Sequence, residues 1–148
     1  MRSNFFVLMV VLSFVFVTNS YAYLIIAVEK GSVLYDKNNK VEKDKPKNKL
    51  YYEVDERNKI IKRVKVIQLD TGQTFPDDTI YHIISAPYHR SILSNEKVIH
   101  AVGQPGLNAF ELLTISSKSI MSAKSTGDYF VIFNCDIIDR SDVPQFGK

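Results

Sequence analysis

The chain has 148 residues, of which 45% are hydrophobic, with 19 basic against 16 acidic side chains. That length builds one domain around one core, and a net charge of +3 gives no strong field for nucleic acid or acidic lipid. A single cysteine, Cys135, excludes an intramolecular disulfide, so burial alone must hold the domain together.

The chain opens with the pattern of a cleavable secretory leader. Arg2 supplies the positive charge, Phe5–Val17 is an apolar run, and Ser20-Tyr21-Ala22 is a small-x-small cleavage signal. The run is about 13 residues long, too short for the ~30 Å hydrocarbon core of a bilayer, and no second stretch approaches the length of a membrane span. The expected division is a signal peptide over 1–22, a β-rich domain over 23–138 and a flexible tail over 139–148. Loss of Arg2 leaves 18 basic against 16 acidic groups in a mature chain that begins at Tyr23. No Asn-x-Ser/Thr sequon occurs, so N-glycosylation is not expected.

Period-two alternation and turn residues dominate the chain beyond the leader. Tyr23–Val28 is a first strand, continued or paired by Val33–Tyr35 beyond Gly31. Asp36–Asn48 reads as a solvated Lys/Asn-rich loop, and Leu50–Val54 as a short strand. Over Asn58–Leu69, alternation sets Lys62, Val64 and Val66 against Arg63, Lys65 and Ile67 on opposite faces, with cations among the outward positions, which discourages edge pairing. Asp70-Thr71-Gly72 makes a turn. Thr79–Ser85, Ser91–Leu93 and Val98–Val102 are weaker strands, and Gly103-Gln104-Pro105-Gly106 is a strong reversal signal. Ala109–Ser116 and Asp128–Ile138 are the clearest strands, with a Ser/Lys-rich loop, Ser117–Gly127, between them; the tail beyond Asp139 reads as frayed. Helical spacing fits poorly anywhere after the leader, because Thr114, Ile115 and the serine run oppose it. The expected fold is all-β: a single antiparallel β-sandwich or barrel-like domain.

Three blocks carry a family likeness: Ile61–Asp70 with Gly72, then Ala101-Val102-Gly103-Gln104-Pro105-Gly106-Leu107-Asn108, then Leu112–Ser119 leading to Gly127-Asp128-Tyr129-Phe130. In order and spacing they resemble the insect family named after multiprotein bridging factor 2, described as transcription activators. Gln104 stands where that family has glycine, and Thr74–Lys97 reads as an insertion. The resemblance implies a coactivator that bridges a DNA-bound nuclear receptor and the general transcription machinery. The turn has its own physical reading. Glycine admits positive φ and proline fixes φ near −65°, so Gly103, Gln104, Pro105 and Gly106, with Asn108, form a hairpin corner or a backbone-lined partner contact.

Catalytic patterns are sparse. Leu69-Asp70-Thr71-Gly72 has the Asp-Thr-Gly of aspartic proteases, but Gln68 breaks the apolar lead-in and no second motif supplies the partner carboxylate. His82, His89 and His100 lack the i, i+4 spacing of a zinc helix, so no metal and no cofactor are expected. There is no Gly-x-Ser-x-Gly elbow, no phosphate-cradling glycine loop, and no Trp for the Gly-x-Trp opening of lipocalins. Cys135 lies within an apolar run and reads as a small buried hydrophobe. In Lys37–Lys49 the lysines are diluted by Glu42 and Asp44, as on a solvated loop. The sequence therefore points to a secreted, non-enzymatic β-domain that binds a protein partner or small ligand, without direct nucleic-acid contact or a membrane span. A nuclear coactivator is the alternative, and a hydrolase centred on Asp70 a distant third.

Overall fold

The computed structural model describes residues 22–38, 40–86, 88–90 and 95–142. Among them every regular element is a strand: β1 Ala22–Asp36, β2 Val41–Asp44, β3 Asn48–Asp55, β4 Ile60–Gln68, β5 Thr74–Ser85, β6 Tyr88–Arg90, β7 Asn95–Lys97, β8 Ile99–Gly106, β9 Ala109–Ile115, β10 Ser119–Ser125 and β11 Tyr129–Asp142. Consequently no helix among the described residues is long and apolar enough to cross a membrane.

All pairings are antiparallel, in the order β11-β10-β9-β8-β5-β4-β3-β1-β2, and β11 returns to pair with β1. That last contact decides between sandwich and barrel. Eight strands close on themselves, β2 lies outside as an extension beside the second half of β1, and β6 and β7 form a separate small hairpin. The seam runs from Tyr23 opposite Asp142 to Asp36 opposite Tyr129. Closure removes the unpaired edges of an open sheet. An eight-stranded barrel is just wide enough for side chains to fill, or for one small ligand.

Alternation decides what fills it. In β9, Glu111, Leu113 and Ile115 point inward while Phe110 and Leu112 face outward. The end of the lumen where β1 begins is packed with Ile25, Val54, Ile61, Ile99, Leu113, Ile115 and Ile120, all essentially buried. Burial of a Leu or Ile side chain contributes about 1.5–3 kcal/mol, so this plug is the main apolar stabilisation of the barrel. Beneath it, Tyr23 donates to Glu56 Oε1 at 3.1 Å, Lys97 pairs with Glu56, and the Arg140 guanidinium stacks 5.5 Å from the Tyr23 ring.

Several sequence expectations change. The loop expected over Asp36–Asn48 contains β2, which pairs Val41–Asp44 with Ser32–Tyr35; its side chains are exposed, so no apolar alternation marks it. The loop expected over Ser117–Gly127 is largely β10, whose inward Ile120 and Ser122 alternate with outward Met121 and Ala123. β11 continues past Ile138 to Asp142, into the segment read as tail. In β4 a bulge between Arg63 and Lys65 shifts the register, so Arg63 and Val66 both reach the lumen although alternation separates them. Arg63 is thus an interior cation. The chain reversal assigned to Gly103–Gly106 comes later. β8 runs on to Gly106, which pairs with Ala109, leaving Leu107-Asn108 as the two-residue connection. The Ser91–Leu93 strand lies outside the described residues.

Candidate functional site: a polar-lined cavity in the barrel lumen

The turn residues singled out by sequence sit on the barrel wall. Gly103 is buried, and its requirement for glycine is steric: a Cβ there would stand 2.6 Å from the Tyr81 ring and 2.8 Å from the Ile80 carbonyl oxygen. Gln104 and Asn108 border an open depression of about 700 Å³ on the outer wall, between β5, β8 and β9, with Ile80, His82 and Phe110. Gln104 Nε2 donates to the Leu107 carbonyl at 3.3 Å, so its amide is spent on the hairpin. Pro105 and Gly106 belong to the same strand end, and neither borders this depression.

The candidate catalytic strings disperse. Asp70, Thr71 and Gly72 form a solvent-exposed turn closed by the Gln68 N–H on the Gln73 carbonyl at 2.9 Å, with Gly72 at φ +68°. His82 faces outward, and His100 Nδ1 lies 3.2 Å from Thr114 Oγ1. The side chain of His89 is outside the described residues. Among the described residues no three His, Cys, Asp or Glu groups come together as a metal site. Cys135 is buried, and burial, with the Glu29, Asp136 and Glu111 charges, pushes its thiol up to about 12.

The polar chemistry gathers in the middle of the lumen. Glu111 is 2% exposed, and its carboxylate accepts from Arg63 Nη1 at 3.3 and 3.4 Å, from the Tyr81 hydroxyl at 3.0 Å and from the Ser122 hydroxyl. Arg63 in turn donates through Nε to Asp77 Oδ2 at 2.8 Å and through Nη2 to Thr79 Oγ1 at 3.4 Å, and its guanidinium lies 5.8 Å from the Tyr81 ring. Burial works against the Arg63 charge, but the surrounding Tyr81 and Tyr52 oxygens with Glu111 and Asp77 outweigh it and hold the guanidinium above its ordinary range. Burial pushes the Tyr81 phenol strongly upward; Arg63 opposes this and Glu111 reinforces it, so Tyr81 is a neutral donor. For Asp77, burial alone would raise the carboxyl, yet the Thr79 hydrogen bonds and Arg63 hold it below its usual range. Buried ionic groups persist where every member finds partners, and among the described residues no buried side-chain polar atom lacks one.

Next to this network is a cavity of about 170 Å³, towards the end of the barrel where β3 begins. Leu50, Tyr52, Val66, Phe133 and Cys135 form its apolar wall; Glu29, Asn48, Arg63, Glu111, Ser122 and Lys124 bring polar groups to it. Glu29 is 3% exposed. Its Oε2 accepts from the backbone N–H groups of Lys47 and Asn48, both at 3.0 Å, and from Asn48 Nδ2 at 3.1 Å. Those three bonds fix the β2–β3 connection over the lumen. Oε1 takes no hydrogen bond from the described residues and, since every fully buried polar atom among them has a partner, keeps some accessible surface on a side chain that borders the cavity.

Sequence reasoning missed Glu29, Glu111 and Ser122, although their spacing carries a signal. Glu29 continues the inward series Ile25, Ala27; Glu111 begins the series Leu113, Ile115; Ser122 follows Ile120. A polar residue in step with a strand's core residues is a lumen group. No family model, no curated protein and no solved structure matches the chain.

Proposed function

We propose that this chain is an exported, non-enzymatic barrel that holds a small organic molecule in its lumen. The observation that carries the reading is the 170 Å³ cavity, where an apolar wall meets side-chain polar groups inside a closed sheet. Such a mixture is what an orienting ligand site needs, and it is far larger than a packing defect, which holds no more than a water or two. Export rests on the leader pattern over Met1–Ala22. The absence of catalysis rests on chemistry: the Cys135 thiol is a poor nucleophile at about 12, and the Glu111 carboxylate is saturated by donors. The same proposal makes the chain an exported relative of the insect family that its Ala101–Asn108 segment resembles.

Ligand-observed NMR against a library of one-ring and short-chain molecules tests the cavity, with Val66→Trp filling it. Binding present in the wild type and lost in the filled variant is the expected outcome. Binding that survives filling, or a library without a single binder, overturns the reading. N-terminal sequencing of the native protein tests export: a mature end at Tyr23 in extracellular fluid is expected, and an intact Met1 in a nuclear extract refutes it.

A further inference from the structure

We infer that the lumen ligand is a small organic cation: a protonated amine on a short arm attached to one ring or an equivalent apolar body. The inference rests on the lumen-binding reading above and adds the chemistry of the head group. Two charged groups at the cavity are not consumed by the network. Glu29, more than nine-tenths buried, borders the cavity, and its Oε1 takes no hydrogen bond from the described residues. Lys124 borders the same space and, among the described residues, makes no ion pair. Burial decides between them. Glu29 is 3% exposed and one of its carboxylate oxygens takes no hydrogen bond from the described residues, whereas Lys124 is only part-buried. A bound cation supplies the donor that this oxygen lacks, in a place where water screens poorly.

Size and wall chemistry agree with that head group. A cavity of about 150 Å³ is known to take a benzene ring, so 170 Å³ holds one ring with a short arm and little else. Tyr52 and Phe133 supply aromatic faces on its wall, and such faces attract a desolvated ammonium as well as a ring.

The test is calorimetric titration of the full chain near neutral pH with three probes of one shape: 2-phenylethylamine, 2-phenylethanol and phenylacetate. The amine is expected to bind at least about tenfold more tightly than the alcohol, with phenylacetate weakest. Glu29→Gln is expected to weaken the amine about tenfold and leave the alcohol within about twofold. Because Glu29 also fixes the β2–β3 connection, its variant is checked by circular dichroism, and Lys124→Met gives an independent reading. Removal of the like charge is expected to tighten the amine several-fold. Phenylacetate binding best, or an amine unchanged or weakened by Lys124→Met, overturns the inference. Equal binding of amine and alcohol also overturns it while leaving the lumen reading intact; a lumen that binds none of the three probes removes both.

Discussion

Replacing Glu111 by leucine removes the centre of the lumen network at nearly constant volume. The change leaves the Tyr81 and Ser122 hydroxyls without their acceptor and strips Arg63 of one of its two carboxylates. Breaking a buried ion pair from one side costs about 3–5 kcal/mol, and each stranded hydroxyl about 1–3 kcal/mol. The network acts as a unit and Arg63 keeps Asp77, so these losses overlap. The expected total is about 3–5 kcal/mol, or a fall in Tm of about 10–20 °C for a domain of this size. Glu111→Gln keeps an acceptor and should lose about half as much. The assay is urea unfolding followed by far-ultraviolet circular dichroism. It should be run as a cycle with Arg63→Met, since the double variant turns the pair into apolar contact and is expected to be less destabilised than the two singles together, by at least about 2 kcal/mol. A loss below about 1 kcal/mol for Glu111→Leu, or a strictly additive cycle, refutes the reasoning.

Gly103→Ala forces a methyl against the Tyr81 ring and the Ile80 carbonyl oxygen, and is expected to cost about 1–3 kcal/mol as a lower urea midpoint at unchanged slope; wild-type stability would contradict the close approach. Cys135, its thiol raised from an ordinary 9.0 to about 12, should resist a thiol reagent at pH 8 until the protein unfolds, and rapid labelling of the folded form would rule out its burial. Stability should fall on both sides of a plateau. The raised thiol contributes stability that is complete below pH 9.0 and lost as pH climbs towards 12, with the raised Tyr52 and Tyr81 adding to the loss above 10.0. Asp77, held below its usual range, contributes stability present above about pH 4 and lost as acid protonates it in the fold. A urea midpoint rising outside either limit contradicts these signs. Finally, amide exchange in β2, an exposed edge strand with one neighbour, should outpace that in β3, which is paired on both sides.

How far each strand was legible in the sequence depends on its own physics. β9 and β11 are readable because apolar and aromatic residues fill them densely. β10 is not, because Ser119-Ile120-Met121-Ser122-Ala123-Lys124-Ser125 pairs small polar residues with its two larger apolar ones, and only partners on both sides make that a strand. Alternation also fails at bulges. An extra residue near Val64 brings Val66 into register with Arg63, and nothing in Ile61–Ile67 announces it. Closure was equally hidden, since the β1–β11 pairing joins segments about a hundred residues apart. The candidate site inherits these blind spots. Its lining comes from β1, β3, β4, β9, β10 and β11, so no local motif contains it.

The seam has a consequence for how the molecule comes into being. A nascent chain that has reached Ser125 carries both faces of an incomplete sheet, with β1 and β10 as raw borders that only Tyr129–Asp142 can join. Bringing such distant segments together is slow and is rewarded only at the end. The barrel thus cannot close until β11 has been made, and throughout that interval its sticky borders are open to other chains.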